Sequence, residues 1–178
     1  MENAKLLAFE YIINRLIAWY IEIKQTDTET ALKNFNKLKL FKLHFFVAAV
    51  NSNTDQTPDL LDTFDRFYAL PYGPVEGSIY DNLNELNFYS IYNDHVEIKG
   101  KEPDFAGLNL LVNKQIDSAI QALRKKNDNL VALPAFELVE ISHKWPVWKL
   151  LYAHALKEGR RNESMPGELI RISSKFYE

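Results

Sequence analysis

The fold is decided by the stretch KLKLFKLHFFVAAV, which runs from Lys37 to Val50. At about 100° per residue, its apolar side chains cover almost every side of a helix and leave a narrow polar strip through Lys33, Lys37 and His44. A helix that is apolar all round is typical of the interior of a protein. We therefore expect this helix to be buried, with the rest of the chain packed around it.

Lys42 is a charged residue that lies outside this polar strip. Helical geometry places it within about 20° of Phe35, inside the apolar sector. A buried lysine is more often a structural group paired with a carboxylate than a perturbed, functional amine. We therefore expect a structural role for Lys42 and a contact with Glu137, Glu140 or Asp81.

The composition is that of an ordinary globular protein. The chain has 178 residues, 47% of them hydrophobic and 25% charged, which fits one domain that can bury about 70% of its unfolded surface. It has no cysteine, which excludes disulfides, thiolate metal sites and cysteine nucleophiles. A net charge of −3 argues against a surface that neutralises phosphates.

Charges interrupt the apolar residues between Lys5 and Ile23, so we expect a cytoplasmic protein without a membrane span.

Local patterns predict a mostly α (α+β) fold, a helical domain around the buried central helix with one small β-hairpin. The hairpin is predicted at residues 88–98, where the side chains alternate about Asn93-Asp94. Residues 60–70 fit either a short helix or, near their end, an extended segment. Pro74 is predicted to occupy the first position of the next helix.

We expect a single domain over residues 1–178. Residues 1–24 are predicted to form an additional N-terminal helix, and residues 160–178 a C-terminal tail that is polar at its start. The N-terminal helix and the loop at residues 51–58 are candidate determinants of partner specificity. On this interpretation, a chain that lacks residues 1–24 stays folded.

Catalytic patterns are weak in this sequence. Ser142 and His143 combine a hydroxyl with a base, but adjacent residues project about 100° apart on a helix and cannot easily serve as nucleophile and base for each other. A capping or core hydrogen-bonding role fits this serine better. The carboxylate pairs Asp62 with Asp65 and Glu137 with Glu140 are typical of solvated helix faces. The four histidines lack the spacing of helical zinc ligands, so we predict no metal, no cofactor and no enzymatic activity.

Three segments, in this order, resemble the Panacea domain, also called the SocA-like domain, of antitoxins and phage-associated proteins. The first is the lysine- and leucine-rich helix from Asn36 to Phe46. The second is a tyrosine–glycine–proline–valine turn with the helix that follows it, and the third is a serine–histidine pair with a downstream tryptophan. The matching residues are Lys37, Lys42, Leu43, Tyr72, Gly73, Pro74, Val75, Tyr80, Ser142, His143 and Trp148.

The resemblance covers about residues 35–156 and implies a mostly helical fold with a small β element. It implies no known catalytic activity. The implied partner is a toxin protein, encoded by a neighbouring gene, which the domain binds and neutralises; in some relatives the toxin is handed to a protease. The chain departs from the family pattern in the helix at residues 1–24 and in the extra proline Pro71.

Two alternatives remain open from the residues alone. One is a hydrolase that uses Ser142, His143 or a carboxylate pair, which a deep polar pocket around His143 would favour and packing of His143 under Trp148 would not. The other is a nucleic-acid-binding regulator, which requires that cationic side chains form one contiguous surface. The cations in question are Lys33, Lys37, Lys39 and Arg15.

Overall fold

A computed structural model describes residues 2–178 of the chain, so Met1 lies outside it. The predicted fold class is confirmed, because helices dominate and the strands are short. The helices are α1 (Glu2–Lys24), α2 (Thr28–Lys33), α3 (Lys37–Val50), α4 (Leu60–Thr63), α5 (Gly77–Asp81), α6 (Leu110–Lys126), α7 (Ala135–His143), α8 (Pro146–Lys157) and α9 (Gly167–Ile172). The strands are β1 (Phe67–Leu70), β2 (Gly73–Glu76), β3 (Tyr89–Ile91), β4 (Val96–Ile98) and β5 (Glu163–Met165).

The central helix α3 lies where the sequence predicts it. The Asn36 side chain accepts a hydrogen bond from the Lys39 backbone N–H and caps the first turn. Every residue from Lys39 to Val50 is buried. Helices α6 and α7 and strand β2 make the most extensive contacts with α3, and α1 and α4 also pack against it. The core therefore forms around α3.

His44 does not belong to a polar strip, contrary to the sequence-based expectation. Its side chain is fully buried and lies edge-on to the rings of Phe9 and Phe64. Neither ring nitrogen has a hydrogen-bond partner among the described residues. Burial, with a contribution from nearby Lys5, lowers the pKa of His44 to about 3. Helix α3 is thus also buried on the side of His44, where the sequence pattern predicted a polar strip.

Helix α1 is an integral part of the core rather than an addition to it. Its buried side chains include Phe9, Leu16 and Trp19. The buried Glu10 carboxylate accepts hydrogen bonds from the backbone N–H groups of Phe88 and Tyr89, which joins α1 to the hairpin. The expectation that the chain stays folded without residues 1–24 conflicts with this packing. Among the described residues, α1 included, no helix is both long and apolar enough to cross a bilayer.

The chain forms two small sheets, whereas the sequence predicted one hairpin. The predicted hairpin is present as β3 and β4. The second sheet has the order β2-β1-β5, all antiparallel. Pro74 lies in β2 and not at a helix start, so that prediction is wrong. An edge strand tolerates proline, because the missing N–H need not join the ladder, and α5 begins three residues later under a Glu76 cap.

The C-terminal segment is also more closely packed than predicted. Residues Glu163–Met165 form β5, which pairs with β1, and Met165 is buried. Tyr177 is buried near the chain end, and the Trp145 indole donates a hydrogen bond to the Phe176 carbonyl oxygen. The expected tail at residues 160–178 therefore closes one side of the core.

We expect the substitution His44→Leu to stabilise the protein. It replaces two unpartnered buried nitrogens with apolar atoms, which should raise the free energy of unfolding at pH 7 by about 1–3 kcal/mol. The pKa of His44 is lowered in the fold from 6.5 to about 3, so the unfolded chain binds the extra proton in this range. Native stability from this group is therefore present above pH 6.5 and is lost as the pH falls towards 3. Urea unfolding at pH 7 and pH 4.5 should show a larger gain at pH 4.5, and the same substitution at exposed His154 should give no gain.

Candidate functional site

The three segments that carry the family resemblance meet in space. Lys42 on α3 donates a hydrogen bond of 2.7 Å to the Pro74 carbonyl oxygen at the start of β2. Gly73, one residue earlier, packs directly against Ser142 of α7. We call Lys42, Gly73, Pro74, Ser142, His143 and Trp148 the motif cluster. Helix α3, strand β2 and the α7–α8 corner each contribute to it, so residues far apart in the sequence form one buried junction.

Lys42 is fully buried and has no carboxylate partner among residues 2–178. The predicted contact with Glu137, Glu140 or Asp81 is wrong, because the amine bonds a backbone carbonyl instead. Burial lowers the pKa of Lys42 well below its usual value. The lowered pKa favours the neutral form of the amine, which needs no counter-ion, and the hydrogen bond to Pro74 pairs the amine with an acceptor inside the core. Its role in the fold is structural, as expected, but it acts without an ion pair.

Gly73 occupies a position that has no room for a side chain. A Cβ atom there would lie 2.2 Å from the Ser142 hydroxyl oxygen and 3.0 Å from the Lys42 amine nitrogen. Its φ of +91° also lies in the left-handed region of backbone conformation, which residues other than glycine rarely adopt. Two independent constraints, space and backbone conformation, therefore require glycine at this point of the turn.

Ser142 and His143 do not form a nucleophile–base pair. The Ser142 hydroxyl is fully buried and donates a 2.7 Å hydrogen bond to the Val139 carbonyl oxygen. The His143 ring stacks on the Trp148 indole, with ring centroids 3.8 Å apart and an interplanar angle of 11°. Burial lowers the pKa of His143, opposed by the charge of Glu140. This is the packing that disfavours the hydrolase hypothesis.

Trp148 connects the α7–α8 corner to the sheet through a hydrogen bond. Its indole N–H donates a 3.0 Å hydrogen bond to the Leu70 carbonyl oxygen at the end of β1. Besides His143, the indole also stacks on the ring of Tyr152, one turn later, with ring centroids 5.1 Å apart. The turn between β1 and β2 is therefore held from two sides, by α3 through Pro74 and by α8 through Leu70.

The remaining motif residues are divided between core and surface. Leu43 and Val75 are buried among apolar neighbours. The Lys37 amine lies 4.1 Å from the centroid of the Tyr80 ring, in a cation–π contact. Tyr72 points outward and is 59% exposed.

The first carboxylate pair is engaged by two different cations, whereas the second is exposed. The Asp62 carboxylate pairs with Arg171 at 2.6 Å, whereas Asp65 pairs with Lys5, also at 2.6 Å. Glu137 and Glu140 are both exposed on α7. Among residues 2–178, no group of three histidine and carboxylate side chains is placed to hold a metal ion.

The four cations of the nucleic-acid hypothesis do not form one surface. Lys39 is buried over the rings of Tyr20 and Phe35. The other three are engaged separately: Lys33 pairs with Glu29, Arg15 pairs with Asp117, and Lys37 lies over Tyr80. Each positive charge is thus balanced or covered where it lies, which disfavours a phosphate-binding stripe.

Sequence reasoning missed Phe136, which is 66% exposed. Its ring lies edge-on to Tyr72, with centroids 6.4 Å apart, so the two form an exposed aromatic pair beside the motif cluster. Phe136 is about 200° around α7 from the buried Leu138, and this phase difference is the signal that could have identified an outward-facing aromatic residue.

We expect Gly73→Ala to destabilise the protein by about 2–5 kcal/mol, because overpacking adds to the strain of the left-handed conformation. Gly159→Ala is the matched control, since its φ is +69° and no atom lies within 4 Å of the added carbon. That control should cost only about 1–2 kcal/mol. Denaturant unfolding measures these free energies. When Gly73→Ala is combined with Ser142→Ala, part of the lost stability should be recovered. Equal losses of stability for Gly73→Ala and Gly159→Ala would contradict the packing described.

We expect Lys42→Met to flatten the pH dependence of stability. The pKa of Lys42 is lowered in the fold, so between the folded value and the ordinary unfolded value of 10.5 the unfolded chain binds a proton that the native amine lacks. The free energy of unfolding therefore rises with pH, by up to about 1.4 kcal/mol per unit from this group. Unfolding titrations in the range just below pH 10.5 should give a smaller slope for the variant, and identical slopes there would contradict a lowered pKa of Lys42 in the fold.

Comparison with protein-family models, with curated proteins and with solved structures found no significant match to this chain. The similarity to the Panacea domain therefore rests on the three segments and on their residues alone.

Proposed function

We propose that this chain is an antitoxin-like protein-binding domain that neutralises a partner toxin, encoded by a neighbouring gene, by direct binding. The observation that carries the proposal is the convergence of the three Panacea-like segments. Lys42 and Pro74 are 32 residues apart and Leu70 and Trp148 are 78 apart, yet each pair is joined by a direct hydrogen bond. Matching residues that also form one junction are better support for the resemblance than matching residues alone.

The chemistry of the cluster supports binding over catalysis. The hydroxyl of Ser142 and the amine of Lys42 are both buried, and each donates to a backbone carbonyl oxygen. Neutralisation of a toxin requires only that its active surface be covered, or that it be delivered to a degrading enzyme. Neither task needs a nucleophile, a metal or a cofactor, and both need an exposed surface of defined shape.

Neutralisation could follow either of two routes under this proposal: the chain covers the active surface of the toxin, or it delivers the toxin to a protease. A toxin encoded by a neighbouring gene would be made in the same cell as this chain, so we propose that the two meet in the cytoplasm. The loop at residues 51–58 remains a candidate for partner specificity, since it is mostly exposed and is ordered by its own hydrogen bonds, such as Thr57 to Asp55. Helix α1 is a poorer candidate than the sequence suggested, because most of its apolar side chains are in the core.

Co-expression with the products of the neighbouring genes tests the proposal. One of these products should arrest growth when expressed alone, and co-expression of this chain should restore growth and allow the two proteins to be purified together. The amount of toxin should stay constant if the mechanism is occlusion and should fall if the toxin is degraded. A neighbourhood without any toxic product, or a toxic product that this chain neither binds nor counteracts, would overturn the proposal.

A further inference from the structure

Tyr72 and Phe136 form an aromatic pair that the fold leaves in solvent. The exposed fractions are 59% for Tyr72 and 66% for Phe136, and the ring centroids are 6.4 Å apart. The two residues come from separate elements, the β1–β2 turn and the first turn of α7. Adjacent exposed aromatic rings are typical of the centres of protein interfaces, where burial of a large ring contributes most to affinity.

The motif cluster holds both rings in place. Tyr72 precedes Gly73, whose backbone is confined by Ser142 and Lys42. Phe136 belongs to a helix whose opposite face buries Leu138 against the core. Both rings are thus attached to packed backbone, and a main chain that is already held in place loses little conformational entropy when a partner binds.

The charge beside the rings is negative and unbalanced. Glu137 and Glu140 are exposed on α7, and neither has an ion-pair partner within 4.0 Å among the described residues. Glu140 follows Phe136 by four residues and therefore lies on the same helical face. Lys144, one turn further on, donates to the Glu178 carbonyl oxygen instead of pairing with Glu140.

We infer that Tyr72, Phe136, Glu137 and Glu140 form the surface that binds the partner protein, and that it receives a basic segment in which an apolar side chain is flanked by arginine or lysine. This inference rests on the proposed function and names the binding surface. The apolar side chain would pack between the rings, and the cations would pair with the two carboxylates. Arginine fits best, because its planar guanidinium binds carboxylates through two hydrogen bonds and stacks on aromatic faces.

The buried motif would then also contribute to binding. None of the fully buried groups in the cluster can touch a partner, but together they set the position of Tyr72 relative to Phe136. The family-like residues would then support a binding surface whose contacting residues lie just outside the motif.

The test measures binding of the purified toxic product of the neighbouring gene to wild-type chain and to two variants, Phe136→Ala and the double substitution Glu137→Lys with Glu140→Lys. Each variant should weaken binding by about tenfold or more. Wild-type affinity should fall as salt is raised, and the double variant should lose most of that dependence. Tyr72→Ala provides a second aromatic variant if Phe136→Ala changes the melting temperature.

Matched controls separate this surface from general effects. Leu150→Ala removes an apolar side chain that is 68% exposed on α8. Glu102→Lys with Glu158→Lys changes the net charge by the same amount at other exposed positions. Both controls should bind as wild type does. Wild-type-like binding by the aromatic and charge variants, or equal weakening in the controls, would overturn the surface while leaving the proposed function intact. A toxic product that wild type does not bind would overturn the proposed function, and the inference with it.

Discussion

The structure depends on the complete burial of one helix that carries a lysine. Because α3 is enclosed on all sides from Lys39 to Val50, the amine of Lys42 cannot reach water and must find an acceptor inside the core. It finds the Pro74 carbonyl oxygen. That hydrogen bond holds the β1–β2 turn against the central helix and brings Gly73 into contact with α7.

The turn is the point at which the separate parts of the chain are connected. Trp148 binds the Leu70 carbonyl oxygen from the α8 side, and β5 extends the sheet beyond β1. Helix α1 closes the core elsewhere and is joined to the β3–β4 hairpin through Glu10. Burial raises the pKa of Glu10, and one of its oxygens has no partner among the described residues, so this connection carries an energetic cost. A chain that retains such buried polar groups uses them to define where its elements meet.

The residues that support the family resemblance act mainly on structure, whereas the side chains of Tyr72, Phe136, Glu137 and Glu140 beside them are exposed. Lys42, Ser142 and Trp148 satisfy backbone carbonyl oxygens. The exposed rings of Tyr72 and Phe136 do not bury such hydrogen bonds, and neither do the carboxylates of Glu137 and Glu140. Under the proposed function, this division would allow the contacting residues to be replaced without disturbing the buried motif, since replacing an exposed side chain seldom costs more than about 0.5 kcal/mol of stability.

The sequence by itself determined the elements whose signals are local. The apolar run of α3 and the alternation about Asn93-Asp94 were sufficient to predict a buried helix and a hairpin. Only the tertiary structure decided which carbonyl Lys42 binds, that Pro74 lies in an edge strand, and that Phe136 meets Tyr72 in solvent. The physical reason is that periodicity reports which face of an element is apolar, whereas the partner of a buried polar group depends on elements that are distant in the chain and come together only when it folds.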